Sequence, residues 1–146
     1  MISIELKKVE EGIVPIYENE TKEKLINARE LHEVLGNKRR FADWIKQRII
    51  RYGFVEREEF IKHHNFVMVG NLKRPQIDYY LTIDMAKELC MVENNEKGKT
   101  IRRYFIEIEK RYKRIVNINN TSNQLIDIMQ NAIDYMKENK SHWGRS

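Results

Sequence analysis

A short run of cations is the strongest chemical feature of the sequence. Lys38, Arg39 and Arg40 are consecutive and precede a pattern of helical period. At this density, guanidinium and ammonium groups bind phosphate oxygens or the carboxylates of an acidic partner. The polar side of the predicted helix adds side chains of the types that contact bases in a DNA groove, namely Lys46, Gln47, Ile50 and Arg51. An ordinary solvated surface is the alternative for both groups.

Two further pairs of basic residues offer the same chemistry. Lys73 and Arg74 stand beside Pro75 in a loop between two predicted strands, as at the tip of a wing that reaches a minor groove or a phosphate. A plain charged hairpin tip is the alternative for them. Arg102 and Arg103 lie on the polar side of a later predicted helix and could extend the patch. Further along the same helix, Glu107 and Glu109 lie within pairing reach of Arg111 and Lys113, so part of the charge on this helix is self-neutralised. A solvated helix face is therefore the favoured interpretation.

Nucleophiles, bases and metal ligands are not spaced as in an enzyme. His63 and His64 are adjacent, so in a strand they would point to opposite faces, and no third ligand has metal-site spacing. Cys90 has the spacing of a buried apolar residue and lacks a histidine nearby in sequence. The run Gly98–Thr100 lacks the upstream glycine of a phosphate-binding loop. We therefore expect no enzymatic activity, metal, cofactor or small-molecule substrate.

The composition indicates a soluble globular protein. A chain of 146 residues with 41% hydrophobic and 34% charged residues suits one domain with an appendage. Its apolar runs stay far below the ~20 residues that a membrane helix requires, and its first residues lack the layout of a signal peptide. A single cysteine excludes an intrachain disulfide framework and favours a reducing interior. The expected location is cytoplasmic, without membrane association.

The net charge of +5 is concentrated in two short windows. Residues 37–51 hold six basic and one acidic side chain, and residues 97–114 hold eight basic and two acidic ones. The remaining sequence is neutral or acidic. Such segregation creates a directed electrostatic field and not merely general solubility.

The first half of the sequence predicts a hairpin followed by two helices. Alternating apolar residues, including Ile2 and Ile4, predict a small hairpin that ends near Ile16. A first helix begins at the cap residue Asn27 and ends at Gly36. A second helix runs from about residue 40 to residue 52, with an apolar side formed by Phe41, Trp44, Ile45, Ile49 and Tyr52.

The second half predicts a strand pair and more helices. Arg48 projects into the apolar side of the second helix, where it has to extend to solvent or pair with an acid. Strands at residues 66–69 and 77–81 flank the loop with the Lys-Arg pair, and Thr82 then caps a third helix. After a polar turn, a longer helix runs from about Thr100 to Ile115. The expected fold class is α+β, mainly helical, with a winged-helix-like core, small β-hairpins and a C-terminal helix.

Three segments are expected along the chain. Residues 1–115 form one domain, residues 116–124 an asparagine-rich linker, and residues 125–140 a C-terminal helix. That last helix carries an apolar stripe with coiled-coil spacing, formed by Leu125, Met129, Ala132 and Met136. With fewer than three heptads it is too short to be stable alone, so it docks on the domain or on another chain. We predict self-association through this stripe, and hence a homo-oligomer.

Two long runs of the sequence together resemble a known family. NARELHEVLGNKRRFADWIKQRIIRYGF and YYLTIDMAKELCMVENNEKGKTIRRYFIEIEKRY are similar to the AntA/AntB antirepressor domain of bacteriophages and prophages, over about Ile26 to Tyr112. The distinctive pieces are four separated runs in the expected order, Ala28–His32, Phe41–Ile45, Asp84–Leu89 and Lys99–Phe105. Family members often continue into a separate C-terminal domain, whereas the sequence after Tyr112 predicts only a linker and one short helix.

This resemblance implies a phage regulatory protein in a bacterial host cell that relieves repression of lytic genes by binding a repressor protein. The family also looks related to phage and viral amino-terminal modules that are thought to bind DNA. The second hypothesis is therefore a winged-helix-like regulator that places its basic helix-turn-helix and hairpin tip on double-stranded DNA. Charge favours the DNA hypothesis and the resemblance favours the repressor hypothesis. The two hypotheses are compatible if the fold is a DNA-binding scaffold that has been recruited to bind a protein.

Overall fold

The computed structural model describes residues 5–143 and the burial of side chains up to residue 139. The predicted α+β class is confirmed. The elements in chain order are β1 (Lys7–Glu10), β2 (Ile16–Glu18), β3 (Lys24–Asn27), α1 (Ala28–Leu35), α2 (Phe41–Tyr52), β4 (Phe60–Val69), β5 (Leu72–Thr82), α3 (Ile83–Glu93) and α4 (Glu96–Trp143). No helix within these residues is long and apolar enough to span a membrane.

The five strands form one antiparallel sheet in the order β1-β2-β3-β5-β4. An N-terminal hairpin is present as predicted, but its strands β1 and β2 lie later in the sequence than the apolar residues that predicted them. Ile2 and Ile4 lie outside the described residues. Strand β3 was not predicted, because it is short and its buried residues Leu25 and Ile26 are consecutive instead of alternating with polar ones. It pairs with the last three residues of β5, which places the following helix α1 against the sheet.

The β4–β5 hairpin is much longer than the sequence indicated. The strands pair from Phe60 opposite Leu81 to Val69 opposite Leu72, so only Gly70 and Asn71 form the turn. The prediction of a loop that holds Lys73 and Arg74 is therefore wrong, because both residues lie within β5. The consecutive residues Lys62–Asn65 and Lys73–Gln76 show no alternation of apolar and polar side chains, so the sequence pattern did not predict strands there. Since β3 covers only the base of β5, the distal part of the hairpin extends past it.

Local sequence sets the ends of the helices. The side chain of Asn27 accepts hydrogen bonds from the backbone N–H groups of Arg29 (2.9 Å) and Glu30 (3.1 Å), as a helix cap does. Gly36 adopts a left-handed conformation with φ of 70° and ends α1. Thr82 caps α3 by accepting from the N–H of Met85. These predicted helix boundaries are confirmed.

The core lies between the sheet and the helices. Trp44 and Ile45 of α2, Leu31 of α1 and Phe105 of α4 are fully buried or nearly so. The hydroxyl of Tyr104 donates to the carbonyl of Val14 at 2.8 Å and joins α4 to the N-terminal hairpin. The apolar side predicted for α2 is too long, because Ile49 is only half-buried and Tyr52 is exposed.

Helix α4 differs most from the prediction. It begins at Glu96 and continues without a break to Trp143, over 48 residues. Residues 116–124, predicted as a linker, are helical, because asparagine and serine lower helix propensity without forbidding it and the segment contains neither glycine nor proline. The chain divides between Ile106 and Glu107 into two compact units, and the rest of α4 forms the second.

Candidate partner-binding surface

The turn between α1 and α2 holds its cations in a fixed frame. The Asn37 side-chain oxygen accepts from the N–H of Arg39 at 2.9 Å, which forms a local turn. The Nε2 atom of His32 lies 2.8 Å from the carbonyl oxygen of Arg39 and donates a hydrogen bond to it. Lys38, Arg39 and Arg40 are all exposed on this frame, and we call these three residues the basic turn.

A buried carboxylate anchors this frame to α3. Only 6% of the Glu93 side chain is exposed, and its oxygens accept hydrogen bonds from Asn37 (3.0 Å), the Trp44 indole (2.9 Å) and the Arg48 guanidinium (3.2 Å). Burial tends to raise the pKa of Glu93, but these three hydrogen bonds and the charge of Arg48 outweigh it, so the net pKa is lowered. Glu93 is therefore an ionised structural group, and of the two alternatives predicted for Arg48 the structure shows pairing with an acid.

The outward face of α2 adjoins the basic turn. Lys46, Ile50 and Arg51 are exposed, and Ile50 leaves 81% of its surface accessible. Gln47 is half-buried, and its side-chain oxygen accepts a hydrogen bond from the Arg39 guanidinium. The structure thus brings the predicted α2 residues and the basic turn together on one surface.

The first residue of α2 connects this surface to the β4–β5 hairpin. The ring of Phe41 packs edge-on against Tyr79 of β5, with centroids 6.0 Å apart, and the Arg29 guanidinium lies 4.3 Å from the Phe41 centroid. Arg29 also donates to the carbonyl of Ile77 at 3.3 Å. On β4, the Lys62 ammonium lies 5.9 Å from the Tyr79 centroid. The base of the hairpin is therefore fixed beside the start of α2.

The distal hairpin continues the buried face of the sheet into solvent. Phe60 and its cross-strand partner Leu81 are buried, and opposite residues at every second position share their face. Further out, that face holds Phe66 and Met68, which are 60% and 66% exposed. The Lys73 ammonium lies 4.6 Å from the Phe66 centroid in a cation–π contact. We call Phe66, Met68, Lys73 and Pro75 the hairpin strip.

The remaining predicted residues lie elsewhere. Arg74 faces the opposite side of the hairpin from Lys73, because consecutive strand residues alternate between faces. Arg102 and Arg103 are exposed on α4, and no contact described for residues 5–139 joins them to the basic turn. His63 and His64 pair with Asp78 and Ile77 on opposite faces of the hairpin, as their adjacency predicted.

The comparison with family models identifies this part of the chain. Residues 26–95 match the model described as AntA/AntB antirepressor. We call this matched segment the antirepressor domain. It contains β3, α1, α2, the β4–β5 hairpin and α3, and therefore both the basic turn and the hairpin strip. Comparisons with curated proteins and with solved structures give no match.

The antirepressor domain confirms the family resemblance over part of its predicted extent. The run Lys99–Phe105 and the continuation to Tyr112 lie beyond the matched residues. The sequence does not predict the hairpin strip, because it predicts only a short strand at residues 66–69 followed by a loop. Residues 66–69 are continuously apolar, so no alternation in the sequence indicates which face of the strand is exposed.

Proposed function

We propose that this protein relieves repression of phage genes in a bacterial host cell by binding a repressor protein. The contact surface consists of the basic turn and the hairpin strip. The main support for this proposal is an exposed face of the antirepressor domain. On this face, the exposed side chains of Phe66 and Met68 lie together with Lys73. The family match supports an antirepressor role for the domain that bears this face.

The chemistry of the hairpin strip favours a protein partner. Exposed aromatic and methionine side chains are enriched in protein–protein interfaces, and adjacent cations steer an acidic partner toward them. A phosphate backbone needs cations but gains nothing from Met68. The partner we expect is therefore a repressor surface that combines carboxylates with an apolar patch, and it contacts Phe66 and Met68 at its centre.

Release of operator DNA tests the proposal. The repressor of the source phage is bound to a labelled operator, and this protein is titrated into the complex. We expect DNA release at a stoichiometric ratio. A repressor that stays on its operator at saturating antirepressor overturns the proposal, as does a failure of the two proteins to bind one another.

Paired variants locate the surface. Met68→Ala and Phe66→Ala should each weaken repressor binding about tenfold or more, because truncated interface anchors of this kind cost more than 1 kcal/mol. Met91→Ala is the matched control, since Met91 is exposed on α3 outside the surface. The affinity of the Met91→Ala variant for the repressor should stay within about twofold of that of the unaltered protein. Equal effects of Met68→Ala and Met91→Ala would remove the hairpin strip from the interface.

DNA binding is the second candidate, and one observation favours it. The helix–turn–helix–hairpin order leaves Lys46, Ile50 and Arg51 exposed on α2 beside the basic turn, as in a recognition helix with a wing. An electrophoretic shift with promoter DNA of the phage at low salt tests it. In this case Lys38→Ala should reduce the salt slope by about 1, whereas Met68→Ala should have little effect. Absence of a shift at low salt eliminates the candidate.

A further inference from the structure

Most of the C-terminal part of α4 has an uncovered apolar face. Ten large hydrophobic residues between Ile115 and Met136 leave at least 39% of their surface exposed. Seven residues there recur at alternating intervals of three and four, which is the spacing of the two core positions of a heptad. These seam residues are Ile115, Ile118, Ser122, Leu125, Met129, Ala132 and Met136. The stripe that was predicted from residue 125 onward therefore extends back through the asparagine-rich segment.

The face is wider than this seam alone. Four large residues flank the seam and are also exposed, Ile126, Ile128, Ile133 and Tyr135. At 100° per residue, the apolar residues between 125 and 136 cover about half of the helix circumference. Asp127, Gln130, Asn131 and Asp134 occupy the other half, and the Gln130 amide donates to Asp134 at 3.0 Å. The second unit is thus a helix with one apolar half and one polar half.

A two-stranded coiled coil does not cover a face of this width. It buries mainly the two core positions of each heptad, and its flanking positions usually carry charges that pair across the interface. Here the flanks of residues 125–136 are isoleucine and tyrosine, which remain exposed if only one neighbour packs against the seam. Each helix therefore needs two neighbours. We propose that residues 115–136 of α4 assemble into a bundle of more than two copies of this chain.

A copy of the same helix is the occupant that fits this face. Residues 115–136 span about 33 Å at 1.5 Å per residue, and half the side of a cylinder about 10 Å wide has an area of roughly 500 Å². Two helices then remove on the order of 1,000 Å² from water, which is about the minimum area expected of a biological interface. A helix with Asn117, Asn119 and Asn120 also needs packing, because asparagine is a poor helix former. The proposal of a bundle does not depend on whether the antirepressor domain binds a repressor.

Mass measurement of the purified full chain tests the bundle without any partner. Size-exclusion chromatography with light scattering should give three or more chains per particle at micromolar concentration. A monomer would mean that the apolar face docks within its own chain or awaits another protein, and a dimer would mean a narrow two-stranded seam. Either mass overturns the proposal.

Three variants distinguish the seam from its flanks. Met129→Glu places a charge in the seam and should reduce the mass to that of one chain. The double variant Ile126→Gln with Ile133→Gln alters only flanking residues and should reduce it to two chains or one. Asn131→Ala is the control on the polar half, and its mass should not change. An unchanged mass in the flank variant overturns the bundle. Each variant also carries Trp143→Phe, so that native tryptophan fluorescence from Trp44 shows that the antirepressor domain has folded.

Discussion

At the scale of single residues, Glu93 connects the turn to the core. It ends α3, yet its carboxylate contacts the turn through Asn37 and the interior of α2 through Trp44 and Arg48. The buried carboxylate of Glu93 therefore holds the basic turn in position. An ionised group that is buried and fully paired in this way is costly to lose, because its partners remain buried without it.

We expect Glu93→Gln to lower the free energy of unfolding by about 3 kcal/mol at pH 7, because Arg48 is left buried without its counter-ion. The pKa of Glu93 is lowered on folding, so its stabilising effect is complete above the ordinary value of 4.5 and is lost as pH falls through the folded-state pKa. Urea unfolding at pH 7 and at pH 3 measures both effects. The gap between the variant and the unaltered protein should narrow at pH 3.

Glu88→Gln is the matched control for this prediction. Glu88 lies on the same helix and is exposed, so its replacement should change stability by less than about 0.5 kcal/mol. A Glu93→Gln variant as stable as this control, or a gap that widens in acid, would contradict the structural role of the carboxylate.

Cys90 provides a second prediction at this scale. The thiol is buried, and burial, together with the charge of Glu93, raises its pKa to about 12. At pH 8 only on the order of one thiol in ten thousand is then ionised, and the thiolate is the reactive form. Ellman's reagent should therefore leave Cys90 unmodified in the native protein and react fully in urea. Rapid modification of the native protein would show that the α3–α4 region opens readily.

The sequence predicts helix boundaries that depend on nearby residues, but it does not predict contacts between residues that are far apart in the chain. The caps Asn27, Gly36 and Thr82 act on residues within one turn, so the sequence around each one is sufficient to find it. Glu93 meets Trp44 across 49 positions and Asn37 across 56. Helical periodicity does not identify such distant pairs. The sequence therefore predicts that Arg48 extends to solvent or pairs with an acid, but it does not identify Glu93 as the partner.

At the scale of elements, the length of the β4–β5 hairpin determines which of its cations can share one binding surface. The sequence predicts Lys73 and Arg74 as neighbours in a loop. In a strand they face opposite sides, so only Lys73 joins Phe66 on the hairpin strip. Pairing of β3 with β5 across two helices and a strand fixes the sheet order, and this contact between distant segments is not visible in local patterns.

The seam of α4 has one weak position, and this leads to a prediction for the element. Ser122 occupies a core position of the heptad between Ile118 and Leu125. Ser122→Leu should stabilise the bundle, because the larger side chain buries apolar area and leucine is a better helix former. The assembly should then resist dilution to at least about tenfold lower protein concentration, as measured by sedimentation.

Asn120→Leu is the control for this prediction, since Asn120 lies on the polar half of the helix. The Asn120→Leu variant gains helix propensity in the same way, but it does not add an apolar side chain to the seam. If both variants resist dilution equally, the benefit comes from helix propensity, and Ser122 is not a core position of the bundle.

At the scale of the whole molecule, net charge indicates a partner but does not define the surface. The window at residues 37–51 holds six basic side chains, but Arg48 is committed to Glu93, and Arg39 contacts Gln47. The exposed apolar residues of the hairpin strip contribute nothing to charge counts. Composition could therefore predict an acidic partner, whereas only the structure shows the apolar residues beside the cations.

This combination of cations and apolar residues predicts how salt acts on the proposed complex with a repressor protein. Exposed cations mainly accelerate association, and screening at high ionic strength removes that acceleration. Between 50 and 500 mM salt we expect the association rate constant to fall at least about tenfold, while the dissociation rate constant changes much less. Stopped-flow fluorescence with labelled repressor measures both constants.

The two parts of the surface should separate in the same measurement. Replacing Lys38 and Arg40 together by glutamine should slow association and reduce its salt dependence, because these cations act on the approach of the partner. Phe66→Ala should instead accelerate dissociation by about tenfold or more, because it removes an anchor from the formed complex. If the cation variant changes only dissociation, the basic turn lies inside the interface and not at its rim. A Phe66→Ala variant with unaltered dissociation would move the apolar contact to another part of the antirepressor domain.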